Sequence, residues 1–317
     1  MKLGPSRRVP VPVASAMVVA LTLAVCLSAP AHVRADGART FATAAEAVHA
    51  LVDAAKSSNV DALLGLFGPG AQELISSSDA ATARQNRDTF VVAMAEGWRL
   101  LDKDATHKEL VVGHEAWPFP VPLVKTAAGW MFDTDAGKEE VLDRRIGRNE
   151  LAAIRIGETY FAAQQAYARR GHDGKPAGLY ARRIGSQPGA QDGLYWVAKH
   201  GEPPSPLGPL VAEATAEGRQ IGPDDKGSVP FHGYYFRVLE TQGASAPGGA
   251  KPYVVNGEMS GGFALVAWPS QYGSTGIMTF IVGPDGVVHE KDLGAATSTA
   301  VAQITSFDPD KSWGPAK

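Results

Sequence analysis

From Phe41 onward apolar side chains return every three or four positions, at Phe41, Ala44, Ala45, Val48, Leu51, Val52 and Ala55, which places them on one stripe of a helix. Thr43 and Glu46 have the three-residue spacing of a capping box at its start. A second, shorter helix is expected over Asp61 to Phe67, stopped by Gly68-Pro69-Gly70. A third, capped by Asp79, is expected to run to about Leu101 with Phe90, Met94, Trp98 and Leu101 facing inward.

The pattern then shortens to that of strands. His107 to Gly113 reads as one strand, and after it Trp117, Phe119, Val121 and Leu123 alternate with Pro118, Pro120 and Pro122. Proline has no N–H to give to a ladder, so this stretch is expected to be extended and at an edge. Val121 to Lys125 and Trp130 to Asp133 flank Ala127-Ala128-Gly129 as a hairpin. Helical spacing returns over Lys138 to Arg170, with Ile146, Ile154, Phe161 and Ala168 on one side, a break at Gly147 and a new cap at Asn149. Beyond His172-Asp173-Gly174 the chain is rich in glycine and proline. Pro203, Pro204, Pro206 and Pro209 mark a rigid surface excursion before a short helix at Leu210 to Glu217. Four β-rich runs close the chain: Gly233 to Leu239, Gly262 to Ala267, Ile277 to Val282 and Val287 to Lys291. Gly283-Pro284-Asp285-Gly286 turns between the last two.

The expected fold class is therefore α+β in two parts. N-terminal helices with a curled antiparallel sheet occupy 36–135, and a long helix with an antiparallel meander occupies 136–317. The first part resembles the cone-shaped nuclear-transport-factor-like and cystatin-like domains, a fold that hosts both enzymes and binding modules. The second resembles the globular part of type IV pilins and pseudopilins. That likeness rests on Gly-Tyr-Tyr-Phe at 233–236, Ala-Trp-Pro at 267–269 and Thr-Phe-Ile-Val-Gly-Pro-Asp-Gly at 279–286. A pilin's helix, however, begins in the membrane, whereas here a soluble part precedes it.

The first 35 residues change the picture of where the protein works. Basic Lys2, Arg7 and Arg8 precede an apolar run from Val11 to Ala29, and small residues follow at Ala29, Ala31 and Ala35, the order of a signal peptide over 1–35. Cleavage fits after Ala31 or after Ala35; the second is preferred because Pro30 spoils the first and Asp36 opens a polar stretch. Left uncut, the run is long enough to serve as an anchor. Arg7-Arg8 only faintly matches a twin-arginine signal, because Pro10 and Pro12 stand where that signal is apolar. Cys26, the only cysteine, follows Val25 rather than a small residue, so a lipid anchor is not expected and the mature chain has no thiol. Its core must then carry stability without disulfides, which a chain of this length can do. Periplasmic or secreted localisation follows, with no membrane span after Asp36.

Removing Lys2, Arg7, Arg8 and Arg34 with the leader leaves 26 basic against 33 acidic residues, a net charge of −7. Phosphate backbones are held by clusters of Lys and Arg, so nucleic acid is not an expected partner.

Five strings together resemble a bacterial exported family known as domain of unknown function 2950. They are Trp117-Pro118-Phe119-Pro120, Arg144-Arg145-Ile146-Gly147-Arg148-Asn149-Glu150-Leu151, Asp192-Gly193-Leu194-Tyr195-Trp196, Pro204-Ser205-Pro206-Leu207-Gly208-Pro209-Leu210 and His232-Gly233-Tyr234-Tyr235-Phe236-Arg237. The likeness runs from Phe41 to Trp313. It implies export and brings no assigned activity with it.

No string commits the chain to a reaction. Tyr272-Gly273-Ser274-Thr275-Gly276 lacks the first glycine of a nucleophile elbow, and neither Gly137-Lys138 nor Gly174-Lys175 has the rest of a phosphate loop. The mature histidines stand singly, without the pairwise spacing of a metal site. His172-Asp173-Gly174 and Asp308-Pro309-Asp310 have some flavour of a calcium loop, but each offers too few oxygens and reads as a turn. Arg144, Arg145 and Arg148 could face an anionic partner, although Glu140 sits where it would pair with Arg144. No catalytic, metal or cofactor residue is assigned. The candidate contacts for a ligand or partner are Trp117, Arg148, His232, Tyr235 and Tyr272. The expected function is an exported, non-catalytic binding protein of the bacterial envelope, whose partner is another envelope protein or a cell-wall component. Two alternatives remain: a hydrolase drawing acid and base from residues such as His232, Asp192 and Glu150, and an accessory subunit of a pilus-like or secretion assembly.

Overall fold

A computed structural model describes residues 37–68, 70–75, 80–198, 201–216 and 230–316. The expected leader over 1–35 and the Asp79 cap lie outside the described residues. The chain divides into two compact units, the first ending at Leu142 and the second beginning at Asp143.

The first unit opens with helices α1 (Ala44–Lys56), α2 (Val60–Phe67), α3 (Ala71–Ile75) and α4 (Ala80–Glu96). Thr43 Oγ1 accepts from the Glu46 N–H at 3.2 Å, and the Glu46 carboxylate accepts from the Ala42 N–H at 3.2 Å, so the box read from the spacing is formed one residue wide. Asn59 caps α2 by accepting from the Ala62 N–H, and Gly68, at φ +71°, ends it. Strands β1 (Trp98–Asp102), β2 (His107–Val112), β3 (Trp117–Pro118), β4 (Leu123–Thr126) and β5 (Gly129–Phe132) form one antiparallel sheet in the order β1-β2-β4-β5. The short β3 shares the far edge of β2 with β4. The helices bury Leu51, Leu63, Phe67 and Phe90 against Phe119 and Phe132 of the sheet side. Burying each such side chain contributes about 1.5–3 kcal/mol.

Helix α4 does not reach Leu101. Gly97 adopts φ +144°, outside the helical region, and its carbonyl accepts from the Gly113 N–H at 2.8 Å, which starts the β1–β2 ladder. Trp98 and Leu100 then alternate inward while Leu101 is 39% exposed. Apolar residues three apart fit a helix and those two apart fit a strand; the glycine decided between them.

Helix α5 (Thr134–Ala168) begins in the first unit and continues into the second. It shows no break at Gly147. A helical glycine costs about 1 kcal/mol, which packing along so long an element outweighs, and Asn149 does not cap but gives its side-chain amide to the Thr275 carbonyl at 2.9 Å.

The second unit adds α6 (Gly208–Ala216), strands β6 (Tyr234–Leu239), β7 (Thr241–Gln242), β8 (Lys251–Pro252), β9 (Val254–Val255), β10 (Glu258–Met259), β11 (Ala264–Pro269), β12 (Met278–Val282), β13 (Val288–Asp292) and β14 (Gly314–Pro315), and the single turn α7 (Thr297–Ala300). Its main sheet is antiparallel in the order β14-β13-β12-β11-β6, with β7-β8 and β9-β10 as two-stranded annexes. Helix α5 covers one face, where Gly157 lies against Val282 and Val288. Residues 301–307 lie on the other, where the Arg237 guanidinium donates to the Val301 and Ile304 carbonyls, both at 2.8 Å. The proline-rich segment is only partly a surface excursion: Ser205 and Leu207 are buried, and the Leu207 N–H donates to the Leu194 carbonyl at 3.0 Å. Pro209 falls in the first turn of α6, where its missing N–H costs nothing. No helix among the described residues is long and apolar enough to cross a membrane.

Candidate functional site

The end of α5 is where the second unit concentrates charge around a hollow. The chain leaves the helix at Ala168 and doubles back: the Gly178 N–H returns to the Ala168 carbonyl at 2.8 Å, and the Lys175 N–H closes a turn on the His172 carbonyl at 2.9 Å. Gly171 is needed there because a Cβ would overlap the Lys175 carbonyl oxygen. His172-Asp173-Gly174 thus forms the expected turn, with Asp173 in the left-handed region at φ +52°, a conformation that Asp tolerates better than most residues.

Beyond the turn the chain is pinned by a buried side chain. Gln164 of α5 accepts from the Ala181 N–H at 2.9 Å and donates to the Ala181 carbonyl at 2.8 Å and to the Tyr160 hydroxyl at 3.0 Å. The Tyr180 N–H donates to the Met259 carbonyl, which draws in β10 with Glu258, and the Leu194 N–H donates to the Arg183 carbonyl, which draws in Asp192. These segments enclose a cavity of about 170 Å³.

Tyr167 and His172 of its lining belong to an aromatic cluster. The His172 ring lies on Tyr167 at 4.0 Å and 13° and tilts against Trp196 at 5.6 Å. His172 Nε2 stands 3.0 Å from the Tyr167 carbonyl oxygen, which can only accept, so that nitrogen carries a hydrogen. Tyr167 donates to the Gln191 carbonyl at 2.7 Å. Burial, and after it the carboxylates of Asp173, Asp192 and Glu258, push the Tyr167 phenol up to about 12. Arg170, Lys175, Arg182 and Arg183 also line the cavity. Ion pairs join Lys175 to Glu258 at 3.0 Å, Arg183 to Asp192 at 3.5 Å and Arg182 to Glu240 at 2.8 Å.

None of the five residues singled out from the sequence lines this cavity. Trp117 is in the first unit, half-buried and edge-on to Phe119 at 6.2 Å. Arg148 is exposed, yet desolvation of its packed part, and then the Arg145 charge, hold its guanidinium below the ordinary arginine value. His232 lines a second hollow of about 190 Å³ with Arg155, Thr159 and Glu213, and its Nε2 is 3.2 Å from the Glu213 carboxylate. Tyr235 and its neighbour take opposite faces of β6, as alternation requires: Tyr234 is fully buried, and Tyr235 is half-buried against Trp268 at 5.7 Å. Tyr272 donates to the Asp292 carboxylate at 3.2 Å.

The residues offered for acid–base work are occupied locally. One oxygen of Glu150 accepts from the N–H groups of Ile277 and Met278, at 2.8 and 2.9 Å. Asp192 accepts from the Gln187 N–H at 2.9 Å besides pairing with Arg183. Asn149 and Glu150 together clamp the 270–278 connection, and Gly233 has no side chain because Asn149 fills that space. Asp308 is likewise structural, accepting from the Ser245 N–H at 2.7 Å. No group of three or more His, Cys, Asp or Glu among the described residues is placed to hold a metal ion.

Sequence reasoning missed Tyr167, Arg170, Lys175, Arg182 and Glu258. Glu258 reaches the site through the Tyr180–Met259 bridge, a pairing with no local signature. The His172-Asp173-Gly174 turn and Asp192 were the pointers to it in the sequence.

The molecule is thus a mixed α+β protein with open antiparallel sheets and a charged hollow at the end of its long helix. The chain belongs to the family described as protein of unknown function (DUF2950), whose pattern matches residues 38–316. No curated protein and no solved structure matches it.

Proposed function

We propose that the protein is an exported binding component of the bacterial envelope that holds one residue of a larger envelope molecule in the cavity lined by Arg170 and Asp173. The observation that carries this reading is the cavity itself: four cationic side chains and three carboxylates stand around a stacked imidazole and phenol. Pockets for whole small molecules measure about 300–1,000 Å³, so a hollow of about 170 Å³ suits a single residue or head group of something larger. Hydrogen bonds among Tyr167, His172 and Gln191 fix the aromatic cluster in advance, and a preformed site loses less entropy on binding. Export is supported by the basic, apolar and small-residue order of 1–35.

Two measurements test the reading. Mass spectrometry of the protein from fractionated cells is expected to find Asp36 as the first residue in the periplasm or medium; an intact Met1 in the cytosol overturns export. Sedimentation with isolated envelope and wall fractions is expected to retain the purified protein, and Tyr167→Ala with His172→Ala is expected to release it. Absence of retention on every fraction overturns binding.

A further inference from the structure

The pairing of charges around the cavity says more about its ligand. Lys175 is matched by Glu258, Arg183 by Asp192, and Arg182 by Glu240, which takes both its Nε and Nη2 hydrogens. Two charged residues of the lining remain. Among the described residues the Arg170 guanidinium makes no ion pair, and Asp173 makes none either; its Oδ2 accepts only the Gln191 N–H at 2.8 Å, which leaves Oδ1 open. The cavity therefore offers one open cation and one open carboxylate, three positions apart across the turn at Gly171. Tyr167, Leu179 and Tyr180 supply apolar surface in the same hollow.

We propose that this site takes a zwitterionic amino-acid group, its carboxylate on Arg170, its ammonium on Asp173 and its carbon body against Tyr167 and Tyr180. The proposal rests on the binding function above and names the chemistry of the residue held. A lone anion would leave Asp173 facing it, and a lone cation would leave Arg170 facing it; a group carrying both charges on one carbon meets each with its opposite. Guanidinium and carboxylate hydrogen bonds to charged groups are about twice as strong as neutral ones, so each end should matter measurably. Two sources present this chemistry: a free amino acid, and a wall peptide whose diamino-acid side chain ends in a carboxylate and an ammonium on one carbon.

The test is calorimetric titration of the purified protein with alanine, alanine amide, N-acetylalanine and such a wall peptide. Alanine is expected to bind, and blocking either its carboxylate or its amine to weaken binding about tenfold or more, the loss of one charge-assisted contact. Arg170→Ala is expected to remove the penalty for the amide, and Asp173→Asn the penalty for the acetyl group. Asn is chosen because it keeps the left-handed backbone at this position. Tighter binding of the wall peptide than of alanine identifies the polymer as the source, whereas the reverse identifies the free amino acid and overturns the larger envelope partner proposed above while leaving the zwitterion site standing. Equal binding of alanine and either blocked form overturns the proposal. Retention on envelope fractions with no binding of alanine or wall peptide overturns it while leaving the proposed function standing; loss of both removes the two together.

Discussion

The two units solve the problem of holding a chain together in different ways. In the first, helices and sheet meet mainly through apolar side chains, with Phe67 on Phe132 at 5.2 Å and Phe90 on Phe119 at 5.5 Å, beside one buried hydrogen bond from the Thr134 hydroxyl to the Phe67 carbonyl. In the second, an apolar core is threaded by polar groups that bridge segments far apart in sequence: Gln164 to Ala181, Tyr160 to Ala264, Glu150 to Ile277 and Met278. All eight tyrosines lie in the second unit. Apolar contact is non-directional and tolerates rearrangement, whereas a buried hydrogen bond fixes one partner in one place. The second unit has the greater need of such fixing, because long loops rather than regular elements form the wall of its cavity.

The difference can be broken from either side. Phe132→Ala should destabilise the first unit by about 4 kcal/mol, since it removes a ring packed against two others and leaves a cavity. Urea unfolding followed at Trp98, Trp117 and Trp130 measures it, and a loss below about 1 kcal/mol would mean that this core repacks freely. Gln164→Leu makes the opposite change in the second unit, with apolar bulk kept and hydrogen bonds removed. The Ala181 N–H and carbonyl lose their partner in a buried place, at about 1–3 kcal/mol for each group left unsatisfied, so about 3 kcal/mol is expected. The same variant should loosen the loop that carries Arg182 and Arg183 into the cavity, which amide exchange at 178–183 would register.

This contrast also explains what could be read in advance. The α1 stripe, its Thr43 box and the β4–β5 hairpin were legible because each is written in residues a few positions apart. Four of the five strands of the main sheet were legible for the same reason, and so was the opposite facing of Tyr234 and Tyr235. Errors arose where a local rule met a distant contact. Gly147 and Asn149 look like a helix end, but Asn149 is engaged by Thr275. The proline-rich stretch looks like surface, but Leu207 is held inward by Leu194. The strings that carry the family likeness behaved similarly: Asn149-Glu150 clamps a connection, Gly193 lies too close to the Gly185 backbone for any side chain, and Phe119 fills the first core. These residues each have a structural partner, and the cavity is made of common charged residues brought together by backbone pairing.

The gentlest way to sharpen the comparison is alkaline titration. Burial is the leading cause that raises the phenols of Tyr160, Tyr167, Tyr234 and Tyr253 above their ordinary value, Tyr167 to about 12. The neutral form is thus favoured in the folded state. Their contribution is fully present below the unfolded value near 10 and is lost as pH climbs through the folded values, because the unfolded chain ionises first. The second unit should therefore weaken from about pH 10 upward while tyrosinate absorbance lags behind that of free tyrosine. Tyr253 separates this effect from general alkaline damage. Its hydroxyl is buried without a hydrogen-bond partner among the described residues, so Tyr253→Phe removes a raised phenol and breaks no bond seen there. Near neutral pH the change should lie within about 0.5 kcal/mol of zero or favour the variant, since an unsatisfied buried hydroxyl is itself unfavourable. Above pH 10 the variant should unfold later than the parent. If the two unfold at the same alkaline pH, buried phenols do not set the second unit's limit, and the polar threading that distinguishes it would have to be weak in solution.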